Sequence, residues 1–271
     1  MIVLFSIVSA TLLSHSAQSL SVSSVIQPEV RTERLNQVSN LVNLALGDGK
    51  GEKDGRYESA RKAALELGDE KQAYELVYGE LSIPVLATIL DAVGVEKGDR
   101  FLDIGSGDGA LVLGASLLFV DEEDGQNAIK VARGLEIVPG LFDRSRRHEE
   151  ALRSILEPSP LLQENQSPIE FALGDIHAAK SDQSVASILQ DTTLVVCFAT
   201  TWSAGNAKGN SLKGRRLEEL SKALSMLPKG ARIVIVDGRI DRKDGHEWQG
   251  DLTVECPDTA PFSIASLYLK V

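Results

Sequence analysis

The sequence predicts an α/β fold, a mainly parallel sheet covered by helices on both faces, with N-terminal helices added and a C-terminal antiparallel edge hairpin. Three observations predict it. From Pro84 to Asp237, helix-like and strand-like segments alternate, the order that right-handed crossovers turn into a parallel sheet. In FLDIGSGDGALVLGASLL, residues 101 to 118, an apolar strand runs through a glycine-rich turn straight into a helix of small and apolar residues. Near the end, Asp251 to Cys256 and Ser266 to Val271 read as strands with no helix between them, which only an antiparallel pair accommodates.

Each element follows from its local pattern. Val30 to Leu46 places Leu35, Val38, Leu41, Val42 and Leu46 at helical spacing. It ends in GDGKGEKDG, residues 47 to 55, a polar linker. A second helix spans Tyr57 to Tyr74, and the two form a lid or brace on the core. Next come a helix at Val85 to Val93, a strand at Arg100 to Ile104, a helix at Ala110 to Phe119 and a strand at Val131 to Ile137. A helix at Leu141 to Ile155, a strand at Ile169 to Leu173, a short helix at Val185 to Leu189 and a strand at Thr193 to Phe198 follow. A helix at Arg216 to Met226 and a strand at Ala231 to Asp237 complete the parallel series.

Composition bounds the function. A chain of 271 residues fills one α/β domain with an extension. A formal charge of −11 excludes a protein that grips nucleic acid over its whole surface, since phosphate binding needs clustered Lys and Arg. No strong intrinsic nucleic-acid binding is expected. Two cysteines cannot build a disulfide framework, and the four histidines lack metal-ligand spacing, so no metal site is expected. The apolar run Ile2 to Leu13 is too short to span a bilayer but matches the core of a signal peptide, and Ala17-Gln18-Ser19 offers a small-x-small cleavage site. The first basic residue is Arg31, so a basic lead-in is missing. The organisation read from this is a targeting segment at 1–19, a helical extension at 20–75 and a ligand-binding domain at 76–271. No transmembrane segment is expected in the mature chain, and the leader points to the secretory route or an organelle.

The ligand is read from the strand ends, because open α/β sheets bind beyond the carboxyl ends of their strands. Gly105, Gly107 and Gly109 let the backbone turn sharply and approach a ligand, and the N–H groups opening the next helix suit an anion. Asp103 stands two residues before the first glycine. There it can brace the turn or face an ammonium, which suits the aminocarboxypropyl end of S-adenosylmethionine better than a pyrophosphate. Glu136, ending the second strand in GLEIV, can accept from both hydroxyls of a ribose. Asp175, after the third strand in FALGDI, can accept from an adenine amino group. Thr200, Thr201 and Trp202, after the fourth, stand nearest the reacting methyl. Simpler roles stay open for each: a turn aspartate at 103, a surface charge at 136, an N-cap at 175 and a core aromatic at 202. The rival ligand is a nicotinamide dinucleotide, because Gly105, Gly107 and Ala110 fit G-x-G-x-x-A. Asp103, the Gly174-Asp175 pair and the terminal hairpin argue against it.

YGELSIPVLATIL, residues 78 to 90, joins the glycine loop, GLEIVPGL and FALGDI in a wider pattern. Together they resemble the Dot-one-type (disruptor of telomeric silencing) histone-lysine methyltransferases over residues 74 to 240. The resemblance implies a Rossmann-like class I methyltransferase sheet and S-adenosylmethionine as cofactor. It implies that Tyr78 and Glu80 close a loop over the methionine moiety, that the glycine loop cradles that moiety, that Glu136 holds ribose and that Asp175 reads adenine. It also implies a protein-lysine acceptor, nucleosomal histone in the family, and a nuclear setting that conflicts with the leader. The chain departs from the family in VVCFATTWSA, residues 195 to 204, which lacks the family's asparagine and leaves Thr200, Thr201 and Trp202 at the acceptor mouth. Its one compact basic stretch there is NAKGNSLKGRR, residues 206 to 216, with Lys208, Lys213, Arg215 and Arg216. DRSRRHEE, residues 143 to 150, mixes both signs and reads as a solvated helix face. A lysine acceptor must arrive neutral, and an apolar channel lowers its pKa without a strong base. Two further functions fit the sequence: a methyltransferase acting on a non-histone protein or small molecule, and a non-catalytic binding module.

Overall fold

A computed structural model, describing residues 28–47, 81–120, 128–199, 216–256 and 260–271, shows one seven-stranded sheet. Its strands are β1 (Asp99–Ile104), β2 (Ile129–Glu136), β3 (Ile169–Leu173), β4 (Leu194–Phe198), β5 (Arg232–Val236), β6 (His246–Cys256) and β7 (Ala260–Lys270). They lie in the order β3-β2-β1-β4-β5-β7-β6. The first five pair in parallel, and β7 runs antiparallel to both β5 and β6. The chain steps outward from β1 through β2 to β3, then crosses to the other side of β1 for β4. That crossing puts a topological switch point between β1 and β4, where ligands of open sheets bind.

The helices are α1 (Pro28–Ala45), α2 (Ile83–Val93), α3 (Ala110–Leu118), α4 (Pro139–Leu156), α5 (Pro160–Glu164), α6 (Gln183–Gln190) and α7 (Glu218–Leu224). The central strands are near-continuous apolar runs because both faces are covered. On one face Leu102, Ile104, Val195, Ile233 and Ile235 pack against Val185 and Leu189 of α6 and Leu220 and Leu224 of α7. On the other, Phe101, Ala132, Val196 and Val234 meet Leu86, Ile89 and Leu90 of α2 and Val112 and Ala115 of α3. Outside that layer, Val38 and Val42 of α1 pack with Leu113 and Leu117 of α3 and Leu152 and Leu156 of α4. Arg34 of α1 donates from Nη2 (2.7 Å) and Nε (3.2 Å) to the carbonyl of Leu117, in the last turn of α3. Arg31 pairs with Asp91 of α2.

At the amino edge of the sheet, Asp99 is buried yet fully engaged. It accepts from the Glu96 N–H (2.7 Å), from Thr193 Oγ1 (2.8 Å) and from the Arg232 guanidinium.

Some boundaries differ from the sequence reading. The hairpin strands start at His246 and Ala260 rather than Asp251 and Ser266. A register shift between Trp248 and Gly250 breaks the two-residue alternation that betrays a strand, and Pro261 sits just inside β7. α2 begins two residues early because Pro84 fits the first helical turn. α5 was not anticipated, and β2 stops at Glu136, leaving Ile137 outside the strand. The leader, the linker beyond Gly47, the helix expected at Tyr57 to Tyr74, and the basic residues Lys208, Lys213 and Arg215 lie outside the described residues.

Candidate functional site

The site grows from the end of β1. Gly105, Gly107 and Gly109 hold φ of 76°, 57° and 92°, left-handed values that glycine adopts without a Cβ penalty. The N–H groups of Gly105 and Ser106 both donate to the Leu135 carbonyl (2.8 and 3.2 Å), tying the loop to β2. Gly109 also needs its missing side chain for space: a Cβ there would stand 2.7 Å from Phe171 Cζ and 3.0 Å from Ser145 Cβ. No side chain caps the N-terminus of α3, so its opening N–H groups form an anion-binding end.

Two of the expected carboxylates, Asp103 and Glu136, meet at this loop, and a third, Asp175, follows the next strand, β3. Asp103, 2% exposed, stands on β1 between Gly134 of β2 and Val196 of β4. Burial, reinforced by the nearby Glu136 charge, pushes its pKa up to about 8. Glu136, 4% exposed, accepts the Gly107 N–H at Oε2 (2.7 Å) and the Val138 N–H at Oε1 (2.8 Å). Burial raises its pKa, and those N–H groups oppose the rise. It is therefore buried and tied to the glycine loop, which a surface charge would not be. Asp175 follows β3 and accepts the His177 N–H at Oδ1 (2.8 Å), capping a short 3-10 turn. The N-cap role is real at this position, and a second carboxylate oxygen remains for another donor. Ile137 and Leu173, 39% and 46% exposed, stand beside Glu136 and Asp175 as apolar surface at the ends of β2 and β3.

Ala199 is buried after β4, its N–H on the Val236 carbonyl (3.0 Å). Tyr78, Glu80, Thr200, Thr201 and Trp202 lie outside the described residues. Cys197 is fully buried with its pKa raised by burial and then by Asp103, so its thiol is not an available nucleophile. Among the described residues, no group of three or more His, Cys, Asp or Glu could hold a metal, and no helix is long and apolar enough to cross a membrane.

Two groups, one of them against the loop, escaped the sequence reading. Asp237, after β5, is a non-glycine residue at φ 58°, and its carboxylate accepts from the Ile264 N–H (3.0 Å) and Ser263 Oγ (2.9 Å). His148 of α4 places Nδ1 2.9 Å from the Asp108 carbonyl in the glycine loop. The run at 143–150 is thus only partly a solvated face, since Ser145 is fully buried and His148 turns inward to the loop. The helical spacing of these two residues was a signal, masked by the charges around them.

The parallel core with its reversed seventh strand is the Rossmann-like sheet of class I, S-adenosylmethionine-dependent methyltransferases. The family model "Histone methylation protein DOT1" matches residues 57–198. The chain belongs to that family. Solved structures with similar folds include an RNA methyltransferase from Salinibacter ruber in complex with S-adenosyl-L-homocysteine, 18% identical, covering 70% of this chain and 93% of that one with a TM-score of 0.39. The rRNA methyltransferase AviRa from Streptomyces viridochromogenes is 12% identical, covering 70% and 86%, TM-score 0.48. Magnesium protoporphyrin IX methyltransferase from Synechocystis PCC 6803 with bound S-adenosylmethionine is 12% identical, covering 92% and 100%, TM-score 0.43. No curated protein matches the sequence significantly.

The residues fit S-adenosylmethionine. The uncapped start of α3 suits its carboxylate, a buried acid without a cationic partner among the described residues suits its ammonium, and Glu136 retains acceptor capacity for the ribose hydroxyls.

Proposed function

We propose that this chain transfers a methyl group from S-adenosylmethionine to a lysine amine of a protein, with nucleosomal histone as the first acceptor to test. The observation that carries this reading is the glycine loop after β1 with Asp103 on the strand before it and Glu136 of β2 bonded to it, while Asp175 follows the neighbouring β3. When bound, the cofactor supplies an electrophilic methyl on a sulfonium. The chain's own work is to orient and desolvate. Asp103 receives the ammonium, the start of α3 the carboxylate, Glu136 the ribose and Asp175 the adenine amino group. Tyr78 and Glu80 close over the methionine moiety, and Thr200, Thr201 and Trp202 line the acceptor mouth. An apolar mouth suffices to neutralise an incoming lysine. Residues 76–271 form the catalytic unit, with the helices of 20–75 as its brace and 1–19 as a targeting segment.

The formal charge of −11 favours a second acceptor class, a non-histone protein or a small molecule, because a nucleosome presents dense phosphate. One experiment separates these readings. The chain lacking residues 1–19 is given radiolabelled S-adenosylmethionine with assembled nucleosomes or with total cell lysate, and Gly107→Arg is the blank. Label on histone supports the first reading. Label confined to another lysate component supports the second. No label above the blank in either mixture would leave a binding module.

A further inference from the structure

We propose that His148 is a positioning residue for the cofactor site, holding the glycine loop in its binding shape through the Asp108 carbonyl; this rests on the cofactor reading above.

The loop is the part of the fold most in need of such a hold. Asp108 lies between Gly107 at φ 57° and Gly109 at φ 92°, and glycine imposes little restraint of its own. The peptide that joins Asp108 to Gly109 directs the N–H of Gly109 and precedes the first turn of α3. Its rotation would swing away the N–H groups that meet an anion.

Three contacts oppose that rotation, and α4 supplies two of them. Ser145, fully buried, stands so close that a Cβ on Gly109 would lie 3.0 Å from its own Cβ. One helical turn later, His148 reaches the Asp108 carbonyl at 2.9 Å, across forty positions of sequence. A carbonyl only accepts, so Nδ1 carries the hydrogen. From within the loop, the Gly109 N–H closes a tight turn on the Ser106 carbonyl (2.9 Å). The imidazole is the only one of these contacts that ties the loop by a hydrogen bond to another helix. It adds a hold from α4 at Asp108 to those that β2 makes at Gly105, Ser106 and Gly107, so ordering entropy is met on folding and not again on binding.

The test uses the whole chain. For His148→Ala, calorimetry is expected to show S-adenosylmethionine binding weakened about tenfold, the loss of one well-made hydrogen bond. Hydrogen exchange of the cofactor-free protein is expected to quicken at Gly109 to Val112. His148→Asn places an N–H close to where Nδ1 stands and is expected to restore both within about twofold of the parent. Melting temperatures of the variants show that each is folded. Parent-like affinity and exchange in His148→Ala would overturn the proposal. So would an Asn variant that melts normally yet stays as weak as Ala. If the parent itself binds no S-adenosylmethionine, the cofactor reading falls, and exchange in the cofactor-free loop still decides whether His148 holds it.

Discussion

Asp99 and Asp103 stand four residues apart on the same strand, both buried, and their surroundings could hardly differ more. Asp99, at the amino edge, has a guanidinium, a hydroxyl and a backbone N–H. Asp103, at the carboxyl edge, has burial and a second carboxylate for company, and no cationic side chain among the described residues pairs with it. A buried carboxylate is costly unless paired. At one edge the fold meets that cost from its own residues. At the other the carboxyl avoids that cost by holding its proton up to about pH 8.

The largest effect is expected at Asp103. Asp103→Asn should weaken S-adenosylmethionine binding about a hundredfold or more by calorimetry, as for removal of one partner of a buried charge pair. The same change should stabilise the empty protein. The folded pKa of about 8 lies above the ordinary value of 3.8. The folded state therefore holds the proton more tightly, and the stability it confers is complete below pH 4 and drains away as pH rises to 8. Melting temperature of the parent should fall across that window. The Asn variant should escape this part of the fall and melt at least about 3 °C higher at pH 8. Cofactor affinity should run the opposite way, rising towards pH 8 as Asp103 gives up its proton to face the ammonium.

A smaller and differently shaped effect is expected at Asp99. Arg232→Ala strands that carboxylate and should cost about 3 kcal/mol in denaturant unfolding, with cofactor affinity per folded molecule unchanged. Loss of affinity in this variant would break the division between the two edges. Smaller again is Gly134→Ala, beside Asp103 on β2, where a Cβ would stand 2.6 Å from Ser106 Oγ and 2.7 Å from Phe171 Cδ1. Both neighbours can rotate, so about 2 kcal/mol of overpacking is expected, with a modest drop in affinity as the loop shifts.

This division was half visible in the sequence. The glycines, the strand-end acids and the alternation of elements are local signals, and local signals placed the sheet, the loop and Glu136. What escaped depends on partners distant in the chain. Asp99 reads as an ordinary residue before a strand until Thr193, just ahead of β4, and Arg232 of β5 arrive. His148 reads as one charge among many until α4 lies against the loop. Asp237 carries no mark of its left-handed backbone, and the first residues of β6 hid behind a bulge that breaks the pattern a strand normally shows. Of the two readings of Asp175, the structure shows the turn cap.

Arg34 bears on how far the chain can be shortened. It grips the last turn of α3, the helix whose first turn opens the glycine loop, while Val38 and Val42 cover Leu113, Leu117, Leu152 and Leu156. Removing everything before Leu46 would bare a contiguous oily surface on two helices and leave a carbonyl without its donor. Such a fragment would keep Asp103, the glycine loop and Glu136 and still be recovered only as aggregate.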